Sequence, residues 1–158
     1  ALAQNIAFAV DDGTEAQVEE AGRLADVDDN IREFQQGYET MLGERGVTVS
    51  GGQKQRISIA RALMKQAPIL ILDDSVSAVD TKTERAILAN LRATRKGKTT
   101  ILIAHRISTI QEMDKLLYLE DGRIAAVGSH AELYERCPGY RKMVDLQKLE
   151  EEGGNGHA

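Results

Sequence analysis

The chain has 158 residues, is 42% hydrophobic and 28% charged, and carries a net charge of -5. That composition gives room for one compact globular domain without a disulfide or metal staple. The acidic balance excludes nucleic-acid binding through a global positive field, the single cysteine (Cys137) excludes an internal disulfide, and no apolar run approaches the ~18 residues of a membrane span.

The sequence opens at Ala1 without methionine or signal peptide, and it is expected to be a piece of a longer chain. The first third predicts short helices in a small surface subdomain. Thr14-Glu15-Ala16-Gln17 has the form of a capping box, followed at helical spacing by Val18, Ala21, Leu24 and Ala25. A second helix is expected from Asp28 to Gln36, stopped by Gly37. Met41 to Gly52 is a glycine-punctuated loop, and Ser50-Gly51-Gly52-Gln53 is another capping box, opening a helix to about Lys65.

Ile69-Leu70-Ile71-Leu72 is an all-apolar run ending in Asp73-Asp74, the pattern of a parallel strand buried on both faces. Thr81-Lys82-Thr83-Glu84 is expected to cap a helix whose inward face is Ile87, Leu88 and Leu91. Thr99 to Ala104 predicts a second buried strand, delivering His105 to the sheet edge. Leu116–Leu119 and Arg123–Val127 predict a hairpin around Glu120-Asp121-Gly122. Ser129-His130-Ala131-Glu132 caps a further helix, a last one runs from Gly139 to Glu151, and the Gly-rich tail from Gly153 is expected to be disordered. The order predicts an α/β fold with a mostly parallel sheet. Its expected parts are a helical region over 1–65, a core over 66–128, C-terminal helices over 129–152 and a tail over 153–158.

Three segments carry candidate chemistry. At Ser50 to Gln53, two glycines behind a cap serine leave backbone N–H groups and the positive end of a helix open to an anion. A well-capped helix is the plainer explanation of the same residues. At Asp73-Asp74, carboxylates at the C-terminal edge of a parallel strand stand where ligands bind in open α/β sheets, and such an Asp suits Mg²⁺. A simple strand exit accounts for them equally well. His105 ends the other strand. Gly97-Lys98-Thr99 imitates the end of a phosphate-binding loop, but Arg92 stands where its first glycine should be. The segment also runs from helix to strand, the reverse of that motif. Ser50 is not a nucleophile elbow, because residue 48 is Thr where that motif needs Gly.

In order, these motifs resemble the nucleotide-binding domain of ABC transporters, from residue 1 to about 148. Val49-Ser50-Gly51-Gly52-Gln53 resembles the family's signature motif, residues 69–74 its Walker B strand, Ser77-Ala78-Val79-Asp80 its D-loop and His105 its switch histidine. Thr40-Met41-Leu42-Gly43-Glu44-Arg45-Gly46 resembles the X-loop of exporters, and Gln4 to Phe8 the segment after the Q-loop. The resemblance implies ATP and Mg²⁺ as ligands, with Asp73 toward the metal and Asp74 and His105 in catalytic places. Val49 to Gln53, Ser77 and Asp80 would face nucleotide at a dimer seam. It also implies a second nucleotide-binding domain as partner and a transmembrane domain whose coupling helices lie near Thr40 to Gly46. The chain itself would touch no nucleic acid, would not insert into the bilayer and would work at the cytoplasmic face of a membrane.

Two departures qualify the resemblance. No Walker A loop, adenine-stacking aromatic or Q-loop is found in these residues, so the element complete here is the signature, which in the family acts on the opposite subunit's ATP. Asp74 also stands where the family has a catalytic Glu. In this the chain resembles the degenerate-site subunit of heterodimeric exporters of multidrug or lipid type. Whether it hydrolyses ATP is left open. The alternatives are a non-enzymatic module that only donates its signature and, less favoured by the X-loop and the charge, a soluble ABC ATPase of DNA repair.

Overall fold

The computed structural model describes residues 1–43 and 48–154. They form two compact units, Ala1–Ile103 and Ala104–Ala158.

The first unit is built around one long helix. α1 (Leu2–Ala7) and α2 (Glu15–Leu24) both pack on α4 (Gly51–Met64), while α3 (Asp28–Arg32) and a 3-10 turn (Gly37–Glu39) close the end of α2. The Thr14 box is present: the Thr14 side chain accepts from the Gln17 N–H, and Gln17 reaches back to the Thr14 N–H. The helix expected to Gln36 stops at Arg32, and Gly37 opens the 3-10 turn with φ +48°. These helices are more than a surface subdomain. Val18, Ala21, Ala25, Val27 and Ile31 are buried in one cluster with Ile57, Ile59, Ala60 and Leu63 of α4. Each is short and narrowly apolar, so only their joint packing makes a core.

A polar network holds this region together. Tyr38 Oη donates to Asp28 at 2.6 Å, Arg32 Nε donates to the same carboxylate at 2.9 Å, and Arg32 also pairs with Glu19 at 3.1 Å. Gly22 makes room for it, because a Cβ there would lie 2.2 Å from the Tyr38 hydroxyl. Burial pushes the Asp28 carboxyl up, yet the hydrogen bonds from Arg32 and Tyr38 outweigh it and hold its pKa below the ordinary value. Burial and the Asp28 contact push Tyr38 up.

Strand β1 (Ile69–Asp73) pairs in parallel with β2 (Thr99–Ile103), with α5 (Thr81–Thr94) between them in sequence. The register sets Asp73 beside Ile103, and the Asp74 N–H extends the ladder to the Ile103 carbonyl at 3.0 Å. The expectation of strands buried on both faces is corrected here. Leu70 and Leu72 are buried, whereas Ile69 and Ile71 are 57% and 60% exposed, and Ile101 and Ile103 are exposed beside them. Helices cover one face of the pair, and among the described residues nothing covers the other. The cap of α5 is Asp80 rather than Thr81, one residue earlier than expected. Ile87 and Leu91 do point inward, with Leu88 half-buried. Gly97, at φ +77°, turns the chain from α5 into β2, the context that rules out a phosphate loop. Arg95 braces this turn, donating to the Thr100 hydroxyl and to the Ala67 and Thr99 carbonyls at 2.9–3.1 Å.

The second unit holds α6 (Ile107–Ile110), the antiparallel hairpin β3 (Leu116–Glu120) and β4 (Arg123–Gly128), α7 (His130–Arg136) and α8 (Pro138–Gly154). Asp121 and Gly122 both have positive φ, as a tight hairpin turn requires. Ser129 caps α7 by the box read from the sequence. Leu116, Leu133, Tyr140 and Val144 form its core. Gly153 and Gly154 belong to α8, so the helix continues two residues into the expected tail, whose remainder lies outside the described residues.

Candidate functional site

The α4 N-terminus and the loop leaving β1 meet in the first unit. Ser50 has extended backbone, and its hydroxyl accepts from the Gln53 N–H at 3.1 Å while Gln53 Oε1 accepts from the Ser50 N–H at 2.8 Å. Gly51 and Gly52 then form the first turn of α4, where N–H groups have no intrahelical acceptor. The space before Gly51 is open: a Cβ there would meet only the Ala78 methyl, at 3.8 Å. Gly52 differs, because a Cβ would lie 2.8 Å from the Ala78 carbonyl oxygen. Glycine is therefore needed at 52 so that the helix can lie against residue 78. Val49 is buried and anchors the entry to the turn.

On the other side, Asp73 ends β1 and Asp74 follows with φ +48°, a left-handed conformation that turns the chain sharply out of the strand. Both carboxylates are exposed. The Ser77 hydroxyl donates to the Asp74 carbonyl at 3.1 Å, and buried Val76 and Val79 pin the loop to the core. Asp80 uses both carboxylate oxygens on Thr83, accepting from its N–H at 3.0 Å and its hydroxyl at 2.8 Å. The Thr83 N–H, then its hydroxyl, hold the Asp80 carboxyl below its ordinary pKa.

Gln55, which carried no predicted role, joins the two segments. Its amide nitrogen donates to the Ser77 hydroxyl at 2.9 Å and to the Asp74 carbonyl at 3.2 Å, and its carbonyl accepts from the Ala78 N–H at 2.9 Å. The sequence signal was only a Gln two residues beyond the Ser-Gly-Gly-Gln box. Lys54 is exposed. Arg56 turns to the Gly52 carbonyl at 3.4 Å and to the Asp26 carbonyl, so it braces α4 locally.

The structure thus brings together Val49 to Gln53, Asp73, Asp74, Ser77 and Asp80. His105 belongs to the second unit, two residues beyond β2, and is exposed. There Gln147 of α8 donates to the His105 carbonyl and accepts from the Ile107 N–H, the latter at 2.9 Å. Thr40 of the X-loop-like segment is buried, and its carbonyl accepts from the Leu2 N–H at 2.9 Å. Residues 44–46, the end of that segment, lie outside the described residues.

This corner offers first-turn N–H groups and a serine hydroxyl for an anion, with two carboxylates at a parallel strand's C-terminal end. Those donors fit phosphate, and a carboxylate at such an edge fits a magnesium ion that keeps most of its waters. The class it defines is a nucleotide-binding α/β domain.

Comparison with known proteins gives the family. The ABC transporter family profile matches residues 3–77. The chain is 48% identical over 155 residues to a probable multidrug resistance ABC transporter ATP-binding/permease protein of Bacillus subtilis, covering 97% of this chain and 26% of that protein. It is 48% identical over 147 residues to the ATP-dependent lipid A-core flippase of Hahella chejuensis, covering 92% of this chain and 25% of that protein. The structure of a bacterial Atm1-family ABC exporter with ATP bound superposes with a TM-score of 0.88 at 46% identity, over 93% of this chain and 26% of that one. The chain belongs to the ABC transporter family and has the fold of an exporter's ATP-binding domain. It spans about a quarter of the length of these relatives.

Proposed function

We propose that these residues are the later part of the nucleotide-binding domain of an ABC exporter, coupling ATP binding and hydrolysis to export of a substrate across a membrane. The observation that carries this proposal is the corner where the open first turn of α4 lies against the loop that follows the Asp73-Asp74 strand.

Val49 to Gln53 present the Ser50 hydroxyl and the Gly51 and Gly52 N–H groups to the phosphates of ATP held by a partner nucleotide-binding domain. Phosphoryl transfer depends mostly on positioning and electrostatic stabilisation, which fixed N–H donors supply without reorganising. Asp73 would hold Mg²⁺ and Asp74 would stand toward the attacking water of the chain's own site, with His105 as the second catalytic group. Ser77 and Asp80 lie at the seam. Asp74 is one methylene shorter than Glu, and a misplacement of about 1 Å costs on the order of 10²-fold in rate. The chain's own site is therefore slow, and its signature serves a competent partner. The Thr40 segment meets the coupling helices of a transmembrane domain, which puts the chain at the cytoplasmic face of a membrane. No helix among the described residues is long and apolar enough to cross one.

The test is Gly51→Asp in the full-length transporter assembled with its partner. ATP turnover is expected to fall by on the order of 10²-fold, and turnover within twofold of the parent would defeat the proposal. The 158 residues alone are expected to bind Mg-ATP weakly, since no Gly-x-x-x-x-Gly-Lys-[Ser/Thr] loop occurs in them. Micromolar affinity in a calorimetric titration would contradict that.

A further inference from the structure

Gln55 makes three hydrogen bonds with one amide, and all three go to the loop that leaves the carboxylate strand. One partner is the carbonyl of Asp74, the residue proposed to face the chain's own ATP site. Another is the hydroxyl of Ser77, which in turn donates to that same carbonyl. The third is the Ala78 N–H. Ala78 is also the residue whose carbonyl oxygen lies against Gly52 with no room for a Cβ. The start of α4 is thus fixed to the 74–78 segment twice, by a side-chain clamp and by direct backbone approach. Asp74 begins that segment in a left-handed conformation, which turns the chain sharply out of the strand.

We infer that Gln55 is a positioning residue that couples the two ATP sites. Displacement of the 74–78 loop by nucleotide at the chain's own site is transmitted through Gln55 to the first turn of α4, which the partner's site uses. The inference rests on the signature acting on the partner's nucleotide. Gln55 touches neither nucleotide. Its loss should alter how one site responds to the other without weakening ATP binding as such.

The experiment uses the full-length transporter with its partner and follows ATP turnover across ATP concentration for the parent, Gln55→Met, Ser77→Ala and the double variant. Gln55→Met keeps the side-chain volume and removes all three bonds. The expected result is a fall in kcat of roughly tenfold, the scale of one or two lost hydrogen bonds. KM should stay within twofold, and the Hill coefficient for ATP should drop to 1. The double variant should lose no more than Gln55→Met alone, because both break one connected device. Unchanged kcat and cooperativity in Gln55→Met, a loss confined to KM, or additive losses in the double variant would each overturn the inference. If Gln55→Met does not fold, Ser77→Ala on the exposed loop carries the same expectation of reduced kcat and lost cooperativity. Gly51→Asp separates the two ideas. If it abolishes turnover while Gln55→Met is silent, only the coupling fails. If Gly51→Asp is silent, the trans signature itself fails and the coupling falls with it.

Discussion

The α4 corner and the β1–β2 sheet lie in the same unit and satisfy their chemistry in opposite ways. At the corner, each polar group that anchors the turn finds a partner nearby: Ser50 with Gln53, Gln55 with Ser77 and Ala78, Asp80 with Thr83. The sheet is half finished. Leu70 and Leu72 are buried against the helices while Ile69, Ile71, Ile101 and Ile103 face outward uncovered by any described residue. The caps close over three residues, and the Gln55 bonds close against the facing loop of the same corner. Apolar strand faces require a second layer, because a parallel sheet is ordinarily covered on both sides.

The sharpest contrast is within one strand. Leu72→Ala is expected to cost about 2–5 kcal/mol, as for a buried leucine, whereas Ile71→Ala on the open face should cost under about 1 kcal/mol, as at a surface position. Urea denaturation of the two variants in the 158-residue chain checks this, and equal losses would mean that the outward face is covered. At the corner, Gly52→Ala is expected to destabilise by about 1–3 kcal/mol, because the new methyl meets a backbone oxygen rather than a yielding side chain. Gly51→Ala, with only a methyl at 3.8 Å before it, should be near neutral in the same measurement.

A smaller effect separates the carboxylate end of the sheet from the signature. Asp74→Glu in the full-length transporter should raise turnover at its own site by on the order of 10²-fold, the cost of the missing methylene. An unchanged rate would remove Asp74 as the cause of slow chemistry.

The smallest effect belongs to the Tyr38-Asp28-Arg32 network behind α2. The Asp28 pKa is held below its ordinary value of 3.8. The unfolded chain therefore binds this proton more readily than the folded one, and stability from the contact is complete above that value and lost as pH falls below it. Thermal midpoints measured down an acid series should fall less steeply in Asp28→Asn than in the parent.

Much of the site was legible in order. The Ser50 box, the apolar run ending at Asp73-Asp74 and the Asp121-Gly122 turn are short-range signals, set by which groups can reach each other within three or four residues. The cap of α5 was misplaced by one residue because Asp80 and Thr81 both suit a cap, and Thr83 offers both its N–H and its hydroxyl to Asp80. The clamp made by Gln55 could not be read, since its partners lie 19 to 23 residues away. Gln147, whose partners lie 40 and 42 residues away, and the Arg95 bond to the Ala67 carbonyl, 28 residues away, were missed for the same reason.

By itself, the sequence determined the order of the longer elements, their starts to within a residue or so and the family motifs, all of which follow from local capping, turn chemistry and hydrophobic period. The short helices α1 and α6 carry no such signal. Only the tertiary structure decided that α2 and α3 join the α4 core, that β1 shows one face outward, and that Gln55 ties the signature turn to the loop after Asp74. Those outcomes depend on which surfaces meet across long sequence separations, and no local pattern encodes that meeting.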